Sequence, residues 1–339
     1  VDECQCKAMP VPSAFPFHVN GLQNGLRPLR TIMVRFARNR TMLGFRNDFR
    51  RPRNRRAPAA RAAYTHRVLA WASAMHDLLS VVILGIIEGI TEFLPVSSTG
   101  HLLIAEHWLG ARSDLFNVGI QAGAILAITL VYRRRIAQLL TQWRDPGTRD
   151  YLSKLVVAFL ITAVLGLAAV KLGFVLPKTV TPIAWGLIGG SAWMLFAEWY
   201  AARRPDRTRV TWTVAILVGI AQMIAGIFPG VSRSGATIFT AMVFGTANRP
   251  AATEFAFLVG IPTMYAATAY ELWKALKSGG GAVREDWGAL ATGCIVSLVV
   301  AFAAVKWLLH YIRNHRYTPF AVYRIALGIA LLLWLPKGA

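Results

Sequence analysis

Apolar runs separated by short, Arg-rich polar stretches recur along the chain from residue 78 to residue 336. A helix of about 20 apolar residues crosses the hydrocarbon core of a bilayer. The pattern predicts such spans near residues 115–132, 151–172, 180–200, 251–273, 287–309 and 319–336. Two further runs stop short. One leads into EGITEFLPVSSTGH, residues 88–101, and the other into FPGVSRSGAT, residues 228–237. In each, a proline removes a main-chain donor just before a group of small hydroxyl residues, so the helix is expected to break and restart. The restarted helices are short and end near residues 109 and 246. This is the pattern of an all-α polytopic membrane protein.

The two breaks belong to an internal repeat. GIIEGITEFLPVSS (85–98) aligns with GIAQMIAGIFPGVS (219–232) at a separation of 134 positions throughout. Gly85 falls on Gly219, Ile86 on Ile220, Ile90 on Ile224, Pro95 on Pro229 and Ser98 on Ser232. Glu88 falls on Gln222, and Glu92 on Gly226. Three spans follow each break, giving halves of about 75–205 and 206–339. If each broken pair is a re-entrant helical hairpin, three spans carry the chain to the other side, and the second repeat is inverted relative to the first. Inverted repeats with broken helices place their polar site near the midplane, where the breaks meet. Irregular backbone at that depth must be covered by protein or water. One long kinked span in place of each hairpin is the alternative topology.

Composition agrees with a bilayer. Of 339 residues, 55% are hydrophobic and 16% charged, and the mean hydropathy is +0.46. A soluble domain carries about a quarter charged residues. The charge is unevenly placed. Residues 1–74 hold 14 Lys+Arg against 3 Asp+Glu, with RNDFRRPRNRRAPAARAAYTHR at 46–67 and no long apolar run. Such a stretch lacks the h-region of a secretory signal. It is expected to be a disordered basic extension able to lie on anionic lipid. No folded nucleic-acid reader is suggested. Met75 precedes the first apolar run and would make a natural start for a membrane domain of residues 75–339, so residues 1–74 need not belong to the working protein. Cys4, Cys6 and Cys294 offer only a lone CxC, a weak metal pattern. Among the loops, one side carries Arg133, Arg134, Arg135, Arg203, Arg204 and Arg313, and the other carries fewer cations, such as Arg112, Lys178 and Lys274. The richer side is expected in the cytoplasm, which puts the mouth of the first hairpin outside.

The breaks carry the candidate chemistry. Glu88 and Glu92 are four apart and share a helix face. Two carboxylates on an apolar helix repel unless a proton or a cation lies between them. Hard divalent cations that act on phosphates are held by one or two carboxylates plus substrate oxygens. The structural alternative is a glutamate that caps the break or pairs with an arginine. Ser97, Ser98 and Thr99 follow Pro95. A helix starting there turns its free N–H groups toward the break, which makes an anion site. Ser98 and His101 are three apart and would share a face, a spacing suited to a nucleophile and a proton carrier. Either one alone would pass for an ordinary cap or a hydrogen-bonded histidine. At the second break Arg233 sits between Ser232 and Ser234, with Gly230 and Gly235 close by. Its planar fork suits phosphate oxygens. The glycines let the backbone approach, and Ser232, Ser234 and Thr237 supply further donors. Snorkelling to the headgroups is the alternative for Arg233. Carboxylates with a cation facing an arginine clamp are equipment for phosphoryl transfer or hydrolysis. A midplane site suits an amphiphile with a long apolar tail and a polyphosphate head.

The segments GIIEGITEFLPVSSTGHLLI (85–104) and PGVSRSGATI (229–238) resemble those of the undecaprenyl-diphosphate phosphatases of the bacitracin-resistance type, and AATEFAFLVGIPTM (251–264) is similar to a third segment of that family. The resemblance covers about residues 76–336. It implies an enzyme of the bacterial inner membrane that hydrolyses undecaprenyl diphosphate to the monophosphate, recycling the lipid carrier of peptidoglycan synthesis. It also implies inverted repeats with two re-entrant hairpins and a divalent cation, Mg or Ca. The family's proposed active-site positions fall on Glu88, Glu92, Ser98, His101 and Arg233, with Ser232 and Thr237 beside them. In that frame Arg233 and the helix N-terminus with Ser97 bind the terminal phosphate, Glu88 and Glu92 hold the cation, and Ser98 attacks with Glu92 or His101 as base. His101 as nucleophile, or an activated water, are the rival schemes. The expected partner is a polyprenyl diphosphate lipid, with access from the periplasm; a homodimer is left open. A polyprenyl-phosphate transporter of the same architecture is the alternative function. It would need an arginine clamp but not paired acids beside a serine and a histidine.

Overall fold

The computed structural model describes residues 57–173, 179–205, 208–277 and 286–334. The chain divides into the units Val1–Thr65 and His66–Ala339, and every side-chain contact given below lies in the second. The described residues form eleven helices and no strand. They are α1 (Ala57–Thr91), α2 (Ser98–Leu109), α3 (Asp114–Val131), α4 (Arg133–Thr141), α5 (Pro146–Lys171), α6 (Val180–Ala201), α7 (Trp212–Ile227), α8 (Arg233–Phe244), α9 (Arg249–Lys277), α10 (Trp287–Tyr311) and α11 (Thr318–Trp334). Five contain a stretch long and apolar enough to cross a membrane: Ser73–Thr91 of α1, and all of α3, α5, α6 and α10. α7 and most of α11 are shorter apolar helices. α9 occupies the expected span near 251–273 but contains Pro262, and its first turns are tied into a polar network.

The outward faces confirm the solvent these helices need. Along α5, Val156, Leu160, Val164 and Leu167 form an exposed apolar stripe. A stripe of that size in water would be an association site, whereas in lipid it is the ordinary surface. Residues 1–56, most of the expected basic extension, lie outside the described residues. Helix α1 already begins at Ala57, so the expected boundary at residue 75 coincides with no break in secondary structure. The amphipathic α4, which opens on three arginines and buries Leu139, is an element the apolar pattern does not announce.

Small residues let the helices approach closely. A Cβ on Gly85 would lie 2.9 Å from the Gly293 carbonyl oxygen of α10, and one on Gly219 would lie 2.7 Å from the Ala158 oxygen of α5. The Thr162 hydroxyl adds a bond to the Gly219 carbonyl at 2.9 Å. The repeat partners Gly85 and Gly219 thus do the same work: each seats the first leg of a hairpin on a helix from the other half of the chain.

Both broken runs fold back as hairpins. In the first, Arg112, just past α2, pairs with Asp77 of α1 at 2.6 Å. In the second, a Cβ on Gly245, just past α8, would lie 2.1 Å from a methyl of Val214 near the start of α7. The two hairpins open at opposite ends of the bundle, because α3 runs between those ends. It begins beside Arg112 and is followed by Arg135, which pairs with Glu254 of α9 at 2.9 Å. Its 18 residues extend about 27 Å at 1.5 Å per residue. The same end holds the Glu198 network. That carboxylate accepts bonds from Arg249 (2.9 and 2.6 Å) and from the Tyr317 amide (2.9 Å). Arg204 donates to the Val243 carbonyl at the end of α8. The Arg-rich loops therefore gather on the side where the second hairpin opens. Glu198→Ala removes the carboxylate that Arg249 and the Tyr317 amide bond to. It is expected to cost ~3 kcal/mol, the low end for a broken buried pair because Arg249 keeps 24% exposure, and to lower the detergent-denaturation midpoint.

Candidate active site

Helix α1 ends at Thr91, four residues before Pro95, and α7 ends at Ile227, two before Pro229. A proline disfavours helical geometry in the residue before it and lacks an N–H, so each chain turns away. Each restarts after a serine of positive φ: Ser97 (φ 76°) before α2, and Ser232 (φ 72°) before α8. Among the described residues these are the only non-glycine positions with positive φ. Such backbone costs on the order of 1–3 kcal/mol each and persists where surrounding contacts demand it. The matching geometry corrects the repeat alignment. The separation is 134 up to the prolines, but Gly230 is an extra residue, and beyond it the separation is 135. Ser232 is therefore the counterpart of Ser97, not of Ser98. The counterpart of Ser98 is Arg233, each being the first residue of its helix.

The breaks meet inside the bundle. The Ser234 hydroxyl donates to the Leu94 carbonyl at 3.2 Å, joining the second break to the first. Glu92, Gln222, Arg233, Ser234 and Thr237 line one small cavity of about 20 Å³, together with Phe93, Phe257 and Met264 among others. Glu92 is buried and accepts a hydrogen bond from the Ser98 hydroxyl. Arg233 is half-buried. Glu88 is fully buried one turn behind Glu92, and the charges that act on it are those of Glu92 and Arg233. Neither Glu88 oxygen, and neither amide atom of Gln222, has a hydrogen-bond partner.

Three of the four hydroxyl groups expected as phosphate donors, those of Ser232, Ser234 and Thr237, have partners within the protein, whereas Ser97 makes no side-chain cap bond. Ser234 gives its proton to Leu94, and Thr237 donates to main-chain carbonyls of its own helix. Ser232 contacts Ser234 at 3.1 Å and caps α8 by accepting from the Gly235 amide. The groups left for an anion are the Arg233 guanidinium, the Ser97 hydroxyl and the amides at the helix starts. His101 also departs from expectation. It does not meet Ser98. Its Nδ1 donates to the Ser97 carbonyl at 2.8 Å, and its Nε2 lies 2.6 Å from the Tyr323 hydroxyl, with the two rings stacked. A carbonyl only accepts, so Nδ1 carries the proton, and when the ring is neutral the Tyr323 hydroxyl donates to Nε2.

Beside Tyr323, the Arg324 side chain is fully buried and reaches carbonyls of both breaks: Pro95 at 3.0 Å, and Gly230 and Val231 at 2.9 Å. Next to the second break lies an apolar cavity of about 550 Å³ between α6, α7 and α8, lined by Trp185, Gly186, Trp193, Phe228 and Ala236 among others.

With this geometry in place, comparison with known proteins is decisive. The model of the family "Bacitracin resistance protein BacA" matches residues 81–330. The chain belongs to this family. It is 68% identical over 256 residues to an undecaprenyl-diphosphatase of Rhizobium johnstonii, an alignment covering 76% of this chain and 96% of that protein. It is 57% identical over 261 residues to an undecaprenyl-diphosphatase of Xylella fastidiosa, covering 77% and 100%. With an undecaprenyl-diphosphatase of Xanthomonas axonopodis pv. citri the identity is 56% over 265 residues, covering 78% and 100%.

The BacA-family match spans both breaks and also α11, whose Tyr323 and Arg324 are absent from the candidates that the sequence suggests. A signal for them exists. An arginine within an apolar span is a functional hypothesis by default. TPFAVYR (318–324) also repeats TPIAWGL (181–187), with Tyr323 standing where the first half has Gly186 and Arg324 where it has Leu187. That exchange explains the unequal flanks. Tyr323 and His101 fill the space beside the first break, while Gly186 and Ala236 leave the cavity beside the second.

Glu88 and Glu92 bring two buried carboxylates close together, an arrangement that either a shared proton or a bound cation relieves. Among the described residues no group of three or more His, Cys, Asp or Glu is assembled. The protein therefore offers two carboxylates, and substrate oxygens would complete the shell.

Proposed function

We propose that the chain hydrolyses undecaprenyl diphosphate to undecaprenyl phosphate and phosphate, in the inner membrane of a bacterium. The observation that carries this is the Ser98 hydroxyl bonded to Glu92, facing Arg233 across the junction of two broken helices. Arg233 and the amides at the starts of α2 and α8 bind the terminal phosphate. Admitting it requires the lining side chains to part. The Ser98 oxygen attacks the terminal phosphorus while its proton passes to Glu92, and undecaprenyl phosphate leaves. Water then hydrolyses the phosphoserine, releasing phosphate and returning the proton to Ser98. A cation held by Glu88 and Glu92 would neutralise phosphate charge when bound. With both ring nitrogens of His101 engaged, the histidine serves this scheme better as a support of the Ser97 turn than as nucleophile. The apolar cavity shares α8 with the clamp and gives the lipid tail a place next to it. A transporter would have no use for the Ser98–Glu92 pair.

The scheme rests on two inverted repeats, each a re-entrant hairpin plus three transmembrane helices. Supporting it are the hairpins' opposite mouths, the shared packing of Gly85 and Gly219, and the matched serines Ser97 and Ser232. The Arg-rich end lies in the cytoplasm, and the first hairpin opens to the periplasm. A cysteine replacing Ala111, in the exposed loop by that mouth, is expected to react with an impermeant thiol reagent in intact cells. One replacing Arg144, at the other end, is not. The reverse labelling pattern would invert the orientation and leave the chemistry unaltered.

The direct test is phosphate release from a polyprenyl diphosphate by the purified protein. Turnover is expected, and a chelator should suppress it, with added Mg or Ca restoring it. No release from a folded preparation refutes the activity. Release that ignores the chelator removes the cation but leaves the activity standing.

A further inference from the structure

We propose that Arg324 is a positioning residue that holds the two breaks in register, setting the distance between the Ser98 hydroxyl and the Arg233 clamp. The proposal rests on the phosphatase scheme above. The guanidinium projects from the middle of α11 and is 0% exposed. Nη1 donates to the Pro95 carbonyl of the first break at 3.0 Å. Nη2 donates to Gly230 and Val231 of the second break at 2.9 Å each, and more distantly to Gly186 of α6 at 3.3 Å. All its acceptors are main-chain carbonyls.

Burying a cation without a carboxylate is expensive, and such a charge is kept only where its surroundings use it. The surroundings here are carbonyls beside the proline breaks, where regular helical pairing is interrupted. Arginine suits the task because its donors diverge from a rigid plane, so one side chain can bind two chain segments at once. Among the described residues, the other hydrogen bond joining the breaks is the one from Ser234 to Leu94. The repeat counterpart, Leu187, makes no such link possible. Arg324 is thus an asymmetric staple between a hairpin that carries the nucleophile and one that carries the clamp.

Loosening the staple should leave phosphate binding to Arg233 in place while misaligning attack. Arg324→Lys keeps the charge but not the fork. It is expected to lower kcat by about 10–100-fold, the scale of a 1 Å misplacement, with KM within about threefold. Gly190→Ala is a second variant that leaves Arg324 present. Its Cβ would lie 2.2 Å from Nη2 and 2.8 Å from the Val231 carbonyl oxygen, so the guanidinium is pushed off its acceptors. Gly166→Ala, where a Cβ meets only the Met223 sulfur at 3.8 Å, is the control with unchanged kinetics. Spin labels on cysteines replacing the exposed Ile90 and Ile224, with Cys4, Cys6 and Cys294 changed to Ser, report the spacing of the hairpins independently of turnover. The distance distribution should broaden in Arg324→Lys and Gly190→Ala but not in Gly166→Ala. An unchanged distribution overturns the proposal whatever the activity does. An unchanged kcat in Arg324→Lys, or a loss carried by KM, overturns it as well. If the unsubstituted protein releases no phosphate, the phosphatase scheme fails, and the label distances still decide whether Arg324 joins the hairpins.

Discussion

Arg233→Ala is expected to lower turnover of a polyprenyl diphosphate by about 10²–10³-fold, the loss typical of one oxyanion donor. The side chain starts α8 and lines the same cavity as Glu92, and it is the only cation doing so. The neighbouring hydroxyls cannot substitute, because Ser234 and Thr237 already donate within the protein. Arg233→Lys should also be poor, since a point charge cannot grip two phosphate oxygens at once. Steady-state phosphate release by both variants is the measurement. A lysine variant as active as the parent would exclude a bidentate clamp and leave only a requirement for positive charge.

Glu92→Gln should be nearly as damaging, by about 10²–10⁴-fold if proton transfer is the step lost. The amide oxygen can still accept the Ser98 hydrogen bond, so the geometry survives while the capacity to take the proton does not. Glu88→Gln should cost less. Glu88 lies one turn behind and is not among the residues that line the cavity, and the second half already carries a glutamine, Gln222, at the matching position. Its effect is expected as a raised cation concentration for half-maximal turnover. If Glu88→Gln proves the more severe of the two, Glu92 is not the base for Ser98, and the hydrogen bond between them is structural.

Much of the site was legible before the fold was known. The acids, the serines, His101 and Arg233 all stand out because charge and hydroxyl groups are conspicuous in apolar helices. The proline breaks and the repeat are local patterns too. Errors arose where the reading ran past a break. Ser98 was matched to Ser232 because a constant separation cannot register the extra Gly230, and only the shared positive φ of Ser97 and Ser232 reveals the shift. His101 was grouped with Ser98 on helical spacing, but its ring turns to Tyr323, 222 positions away in the chain.

The sequence by itself determined the class of molecule, an apolar helical chain with two interrupted runs, since length and hydropathy decide what a bilayer accepts. It also determined which residues carry charge at the breaks and, through those segments, the family. Only the tertiary structure decided which groups face one another. Ser98 meets Glu92, Arg324 reaches Pro95 and Gly230, and Tyr323 meets His101 because helices from both halves converge on the breaks. The physical reason lies in the range of the forces. Helical periodicity and proline sterics act within a few residues and leave their mark in the local pattern. Hydrogen bonds between distant segments depend on how whole helices pack, and that packing is set by many small contacts such as those at Gly85 and Gly219.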